Sequence, residues 1–218
     1  MEKLHLEMLD DSRKALFPKL SAFQKTGYLA GGTALALQIG HRLSYDFDIF
    51  CPKEISLTFA AKAKKIFSIE QTLVNSSDEA TFIVAGDVKI SFIFYPFSLE
   101  KFILKKETCP LKILSPLGVI VTKAYAMSRR GAWRDYLDLY VALEKKITSV
   151  DEIIREAENV YGELFNQKMF LSQLVYIGDV SKKEVEETRL FGGKVSAGRV
   201  KKYFQGEVAA YFNKLKKG

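Results

Sequence analysis

Two aspartates set the chemistry that this chain can be expected to perform. Asp46 and Asp48 lie in the run Asp46-Phe47-Asp48-Ile49-Phe50, where acidic and apolar residues alternate. Alternation of this kind reads as a strand, so both carboxylates point to one face and Phe47 and Ile49 fill the other. Two carboxylates on one face repel each other, and a divalent cation relieves that repulsion. Magnesium suits the pattern, because it takes one or two carboxylates and completes its octahedron with waters and substrate phosphates; manganese fits the same donors. Upstream, Tyr28-Leu29-Ala30 runs into Gly31-Gly32-Thr33. A short strand that enters a Gly-Gly pair and then a helix brings backbone close to a ligand and presents free N–H groups to an anion. A triphosphate fits such a cradle, and the Thr33 hydroxyl could bond a phosphate oxygen or cap the helix through Ile39, with Gly40 ending it.

These residues need elements to hold them. Residues 3–25 read as one helix with Pro18 as a kink or break, and residues 56–67 as an Ala/Lys-rich helix. Strands are expected at Ile69–Val74, Ala80–Ala85 and Val88–Phe94, the last two joined by a hairpin turn at Gly86-Asp87. A short strand at Leu111–Leu114 precedes a helix that Pro116 starts and that runs to about Ser128. After Gly131, Trp133–Lys145 reads as a second helix. From Val150 onward the pattern is helical: Ile153 to Tyr161, Phe165 to Leu174, a piece around Val185-Glu186, and Val200–Phe212. The expected class is α+β, with a mixed-sheet domain over residues 1–114 and a helical domain over 115–218.

Composition bounds the answer. The chain has 218 residues, 48% of them apolar and 27% charged, which excludes disorder as the main state. Its two cysteines, Cys51 and Cys109, are too few for a disulfide framework or a cysteine-built zinc site. Cys51, between a strand and Pro52, reads as a buried structural thiol. The first residues lack the apolar region of a secretory signal, and apolar stretches such as Phe92–Phe97 fall far short of the ~18 residues of a membrane span. A cytoplasmic protein with no membrane partner is expected. The formal net charge is +7, and residues 101–150 hold ten basic against four acidic residues. That field draws anions, nucleotides and RNA among them, or forms a solvated basic face.

The stretch Gly31-Gly32-Thr33-Ala34, His41-Arg42 and Asp46-Phe47-Asp48 resembles the nucleotidyltransferase superfamily with a DNA polymerase beta-like fold, and in its wording the AbiEii/AbiGii toxin family. The likeness continues through Val88-Lys89-Ile90-Ser91-Phe92 and Tyr95-Pro96. It then takes in Lys123-Ala124-Tyr125-Ala126, Arg129 and Arg134-Asp135-Tyr136-Leu137-Asp138-Leu139, so that it covers about residues 27 to 143. The resemblance implies Mg-dependent transfer of a nucleoside monophosphate from an NTP to an RNA acceptor, notably a tRNA 3′ end. It also implies a toxin paired with an antitoxin protein. It would give Asp46 and Asp48 the metal; Gly31, Gly32, Thr33, Arg42 and Arg134 the nucleotide; and Lys123, Asp135 and Asp138 a share in catalysis.

Three points stay open at this level. Many relatives in the wider superfamily carry a third carboxylate where this chain has Ser91, whose hydroxyl cannot act as a base near neutral pH. The base is then absent, supplied by Asp135 or Asp138, or replaced by metal-bound activation. Arg134 and Asp138, four apart, either form a plain helix ion pair or join the site. His41 either caps the helix end at Gly40 or touches a phosphate. The competing functions are a small-molecule nucleotidyltransferase of the antibiotic-modifying type, a non-catalytic nucleotide-binding relative, and a modifier of protein hydroxyls.

Overall fold

The computed structural model describes residues 3–127, 131–178, 180–188 and 190–216. The chain forms two compact units, Met1–Ser115 and Pro116–Gly218. Ser128, expected near a helix end, and Arg129, part of the family likeness, lie outside the described residues.

The N-terminal segment is three short pieces instead of one helix. A 3₁₀ turn at Leu6–Met8 is followed by α1 (Asp11–Leu16) and a 3₁₀ stretch at Phe17–Phe23. Asp10 caps α1 by accepting from the Arg13 amide at 3.0 Å. Pro18 cannot donate to an α-helical ladder. The tighter 3₁₀ winding has three residues per turn, which puts Phe17, Leu20 and Phe23 in one buried row.

The first unit then runs β1 (Tyr28–Ala30), α2 (Gly31–Ile39), β2 (Asp46–Cys51), α3 (Phe59–Lys64), β3 (Ile69–Asn75), β4 (Glu79–Val84), β5 (Val88–Phe94), β6 (Ile103–Leu104) and β7 (Ile113–Leu114). The strands make one mixed sheet in the order β3-β4-β5-β2-β1-β7-β6. β2 is central and runs parallel to β5 and antiparallel to β1. β4 and β5 form the expected hairpin, and its turn places both Gly86 and Asp87 at positive φ, 86° and 56°. That pairing of dihedrals matches the right-handed twist of the flanking strands.

One face of the sheet is apolar and closed. Phe47, Ile49, Phe82, Ile90 and Phe92 on it are fully buried. Phe23 packs against Phe59, Phe67 and Phe92 with ring centroids 5.6, 5.5 and 4.8 Å apart. Aromatic contacts of this kind add about 0.5–1.5 kcal/mol each beyond area burial. The opposite face carries Asp46, Asp48, Lys89 and Ser91, so the period-2 pleat separates core from chemistry.

The second unit is helical: α4 (Pro116–Met127), α5 (Trp133–Glu144), α6 (Val150–Tyr161), α7 (Gln167–Val175), α8 (Lys182–Glu187) and α9 (Ala197–Leu215). α4 packs on α5, α6 and α7, and α9 packs on α5, α6 and α7. Tyr125 stacks on Tyr161 at 4.0 Å, and the Tyr136 hydroxyl donates to the Tyr176 carbonyl at 2.5 Å while accepting from Gln173 Nε2 at 2.8 Å. No helix among the described residues is long and apolar enough to cross a membrane.

Candidate active site

The register of β1 against β2 builds the centre of the site. Ala30 pairs with Asp48, so the residue after Ala30 meets the Asp48 side chain. That residue is Gly31, at φ +66°, and a Cβ placed on it would fall 2.3 Å from Asp48 Oδ2. Any side chain there would be strained at this φ and would push the Asp48 carboxylate aside. α2 begins here, with Ala30 at the N-cap and no side-chain cap. The expectation that Thr33 caps this helix is therefore corrected: the helix starts two residues earlier, and both glycines belong to its first turn. The Asp48 carboxylate lies against this helix start, where the macrodipole favours negative charge.

Thr33 is buried. Its hydroxyl donates to the Asp46 carbonyl and shares a hydrogen bond of 2.6 Å with Ser44 Oγ. It thus ties α2 to the loop that leads into β2 and fixes where Asp46 begins. Arg13, which no spacing rule singled out, completes that clamp. Its Nε donates to the Tyr45 carbonyl at 2.6 Å, its Nη2 to the Asp87 carbonyl at 3.2 Å, and its Nη1 to Asp10. One buried guanidinium therefore joins α1, the residue before Asp46 and the β4–β5 turn.

Asp46 and Asp48 are half-buried on the same face. Across the strands Asp46 pairs in register with Lys89, whose Nζ lies 3.6 Å from Asp46 Oδ2, and Asp48 pairs with Ser91. Ser91 is buried and continues in register to Thr81 on β4, whose hydroxyl donates to Glu79 Oε1 at 2.5 Å. Lys89, Thr81 and Glu79 reach this face only because the pleat and the pairing bring them there. Arg42 and His41 are buried, with Arg42 Nη1 donating to the Leu43 carbonyl at 3.1 Å.

The donor set fits a divalent cation that shares its shell with a substrate. Among the described residues no group of three or more His, Cys, Asp or Glu side chains converges on one point, so there is no all-protein metal cage. Two carboxylates beside an uncapped helix start match what magnesium asks for when phosphates supply the other oxygens.

The second unit gathers the remaining predicted residues. Lys123 Nζ lies 3.0 Å from Asp138 Oδ2 and also bonds Asp135 Oδ1. Lys123 is almost wholly inside and Asp138 fully so. Trp133, Asp135, Tyr136, Leu137, Asp138 and Leu139 are all buried, while Arg134 is exposed. Asp135 and Asp138 share their side of the helix with Lys123 of α4, so burial there is compensated by charge pairing.

Comparison with known proteins agrees with this architecture. The family model of the nucleotidyl transferase AbiEii toxin, a type IV toxin–antitoxin system, matches residues 14–192. An uncharacterized protein of Aquifex aeolicus is 27% identical over 186 residues, which span 84% of this chain and 87% of that one. A Helicobacter pylori structure described as a candidate nucleotidyltransferase shares the fold at a TM-score of 0.59 and 16% identity, covering 94% of this chain and 96% of that chain. MenT4, a nucleotidyltransferase toxin of Mycobacterium tuberculosis, does so at 0.56 and 15%, covering 88% and 80%. With a glycine-start helix set against paired aspartates on a mixed sheet, and a family match across most of its length, the chain belongs to the AbiEii nucleotidyltransferase toxin family.

Proposed function

We propose that the protein transfers a nucleoside monophosphate from an NTP to an RNA acceptor such as tRNA, with Mg²⁺ or Mn²⁺ held by Asp46 and Asp48. The observation that carries this reading is the contact at Gly31, where the start of α2 and the Asp48 carboxylate share one small space. A helix start offers N–H groups to phosphate, and a carboxylate beside it offers oxygen to a cation. The metal ion supplies charge neutralisation on the triphosphate. Gly31 and Gly32 let the phosphates approach the backbone, and the Thr33–Ser44–Asp46 bonds hold the acidic strand in place. Lys89 balances one carboxylate from the neighbouring strand. Positioning and electrostatic stabilisation supply most of the rate in this scheme.

The basic excess over residues 101–150 favours RNA over a small uncharged acceptor. A cytoplasmic toxin held in check by an antitoxin protein is the setting that the family suggests. The test is incubation with labelled NTPs, Mg²⁺ and total tRNA. Label should enter RNA with the wild type and not with Asp48→Ala. Equal labelling by the two proteins contradicts the assignment, and labelling of an aminoglycoside in preference to tRNA moves it to the small-molecule class.

A further inference from the structure

Asp48 divides the functional face of the sheet into two sides. On the β1 side lies the start of α2, at Gly31. On the β5 side lies a polar row of Ser91, Thr81 and Glu79, reached strand by strand through the pairs Asp48–Ser91 and Ser91–Thr81. Transfer of a nucleotidyl group is an in-line displacement, so the attacking oxygen and the leaving pyrophosphate stand on opposite sides of the α-phosphorus. If the triphosphate tail rests on the α2 side, the acceptor hydroxyl approaches over β5 and β4. That side has a carboxylate. Glu79 lies two residues before Thr81 and therefore on the same face. Its side chain folds back to accept the Thr81 hydroxyl at 2.5 Å, which brings the carboxylate level with Ser91 and Asp48. Among the described residues Glu79 has no cation paired with it. The backbones of Asp48 and Thr81 stand two strand spacings apart, about 10 Å, with the buried Ser91 of β5 between them.

We propose that Glu79 is the general base of the transfer, oriented by Thr81, and that the β5–β4 side of the face is where the acceptor's reactive end binds. The inference rests on the nucleotidyl-transfer reading. The acceptor O–H bond breaks and its proton passes to the Glu79 carboxylate. The oxygen forms its bond to the α-phosphorus, and the bond to the bridging oxygen breaks, so that pyrophosphate leaves with the electron pair. Glu79 then returns the proton to water. Asp135 and Asp138 are engaged with Lys123 and are not needed for this step.

Glu79→Gln tests the role cleanly, because the amide oxygen still accepts from Thr81 while basicity is lost. Single-turnover transfer to total tRNA should fall about 100-fold, the usual worth of a positioned base. The NTP dissociation constant should stay within about twofold of wild type, since no ground-state contact to the phosphates is removed. The variant's rate should also climb roughly tenfold per pH unit from about pH 7 to 9 as hydroxide replaces the carboxylate, while wild type stays flat. Thr81→Val, which keeps the shape and removes the orienting hydroxyl, should show a smaller loss of the same kind. Wild-type rate and an unchanged pH profile in Glu79→Gln overturn the inference and leave nucleotidyl transfer standing. Absence of transfer by the wild type, or equal transfer by Asp48→Ala, overturns both.

Discussion

Gly31→Ala probes the centre of the account with one methyl group. Two costs follow from the geometry. The residue keeps φ near +66°, and the left-handed region costs a non-glycine residue about 1–2 kcal/mol. The new Cβ would lie 2.3 Å from Asp48 Oδ2, whereas ordinary contact begins near 3.4 Å, so the carboxylate must retreat by about 1 Å. A displacement of that size at a reacting centre costs on the order of 100-fold in rate. The variant should therefore lose about 1–2 kcal/mol in urea unfolding and about 100-fold in single-turnover transfer. Gly206→Ala is the control. Nothing lies within 4 Å of a Cβ at that position in α9, so it should gain up to about 1 kcal/mol from helix propensity and keep wild-type transfer. Full activity and stability in Gly31→Ala would show that Asp48 does not need its place against the start of α2.

Other consequences can be measured with the same protein. Lys123→Ala leaves Asp135 and Asp138 buried without their shared cation, and urea unfolding should show a loss of about 3–5 kcal/mol, more than a solvated lysine could cause. Burial raises the thiols of Cys51 and Cys109 to about 11. At pH 8 their thiolate fraction is then roughly 200-fold below that of an ordinary cysteine, and alkylation of the folded protein should be slower by about that factor. The same shift has a sign for stability. The folded state holds these protons more tightly, so the contribution is full below the unfolded thiol range near pH 8.5 and declines as pH rises toward 11. Urea midpoints should be flat from about pH 7 to 8 and fall above about 9.

The part of this site that the sequence makes legible is the part written in local patterns. Alternation in Asp46–Cys51 specifies which side chains turn inward, and the structure buries Phe47, Ile49 and Cys51 as that pattern requires. The Gly86-Asp87 turn and the breakpoint at Gly40 are equally local. The N-terminal segment is ambiguous in sequence, because Phe17, Leu20 and Phe23 are three apart, a spacing that α-helical and 3₁₀ faces share until a proline decides between them. Thr33 could not be placed from spacing alone. Its hydroxyl bonds the Asp46 carbonyl thirteen residues away, and only the packing of α2 on β2 creates that partner. Nothing local marks Arg13, Lys89 or Glu79 as part of the site, for the same reason. Each gains its neighbours from strand register or loop closure across the sheet. The pairing of Lys123 with Asp135 and Asp138 crosses from one helix to the next, beyond any helical period.

The central claim is that Asp46 and Asp48 together hold a divalent cation in company with an NTP. Its most direct test is Mn²⁺ binding followed by electron paramagnetic resonance in the presence of a non-hydrolysable NTP. Wild-type protein should deplete the free-Mn²⁺ signal beyond what the nucleotide alone removes, and Asp46→Asn/Asp48→Asn should leave that signal at the nucleotide-only level while remaining folded. Equal depletion by the wild type and the double variant would contradict the account.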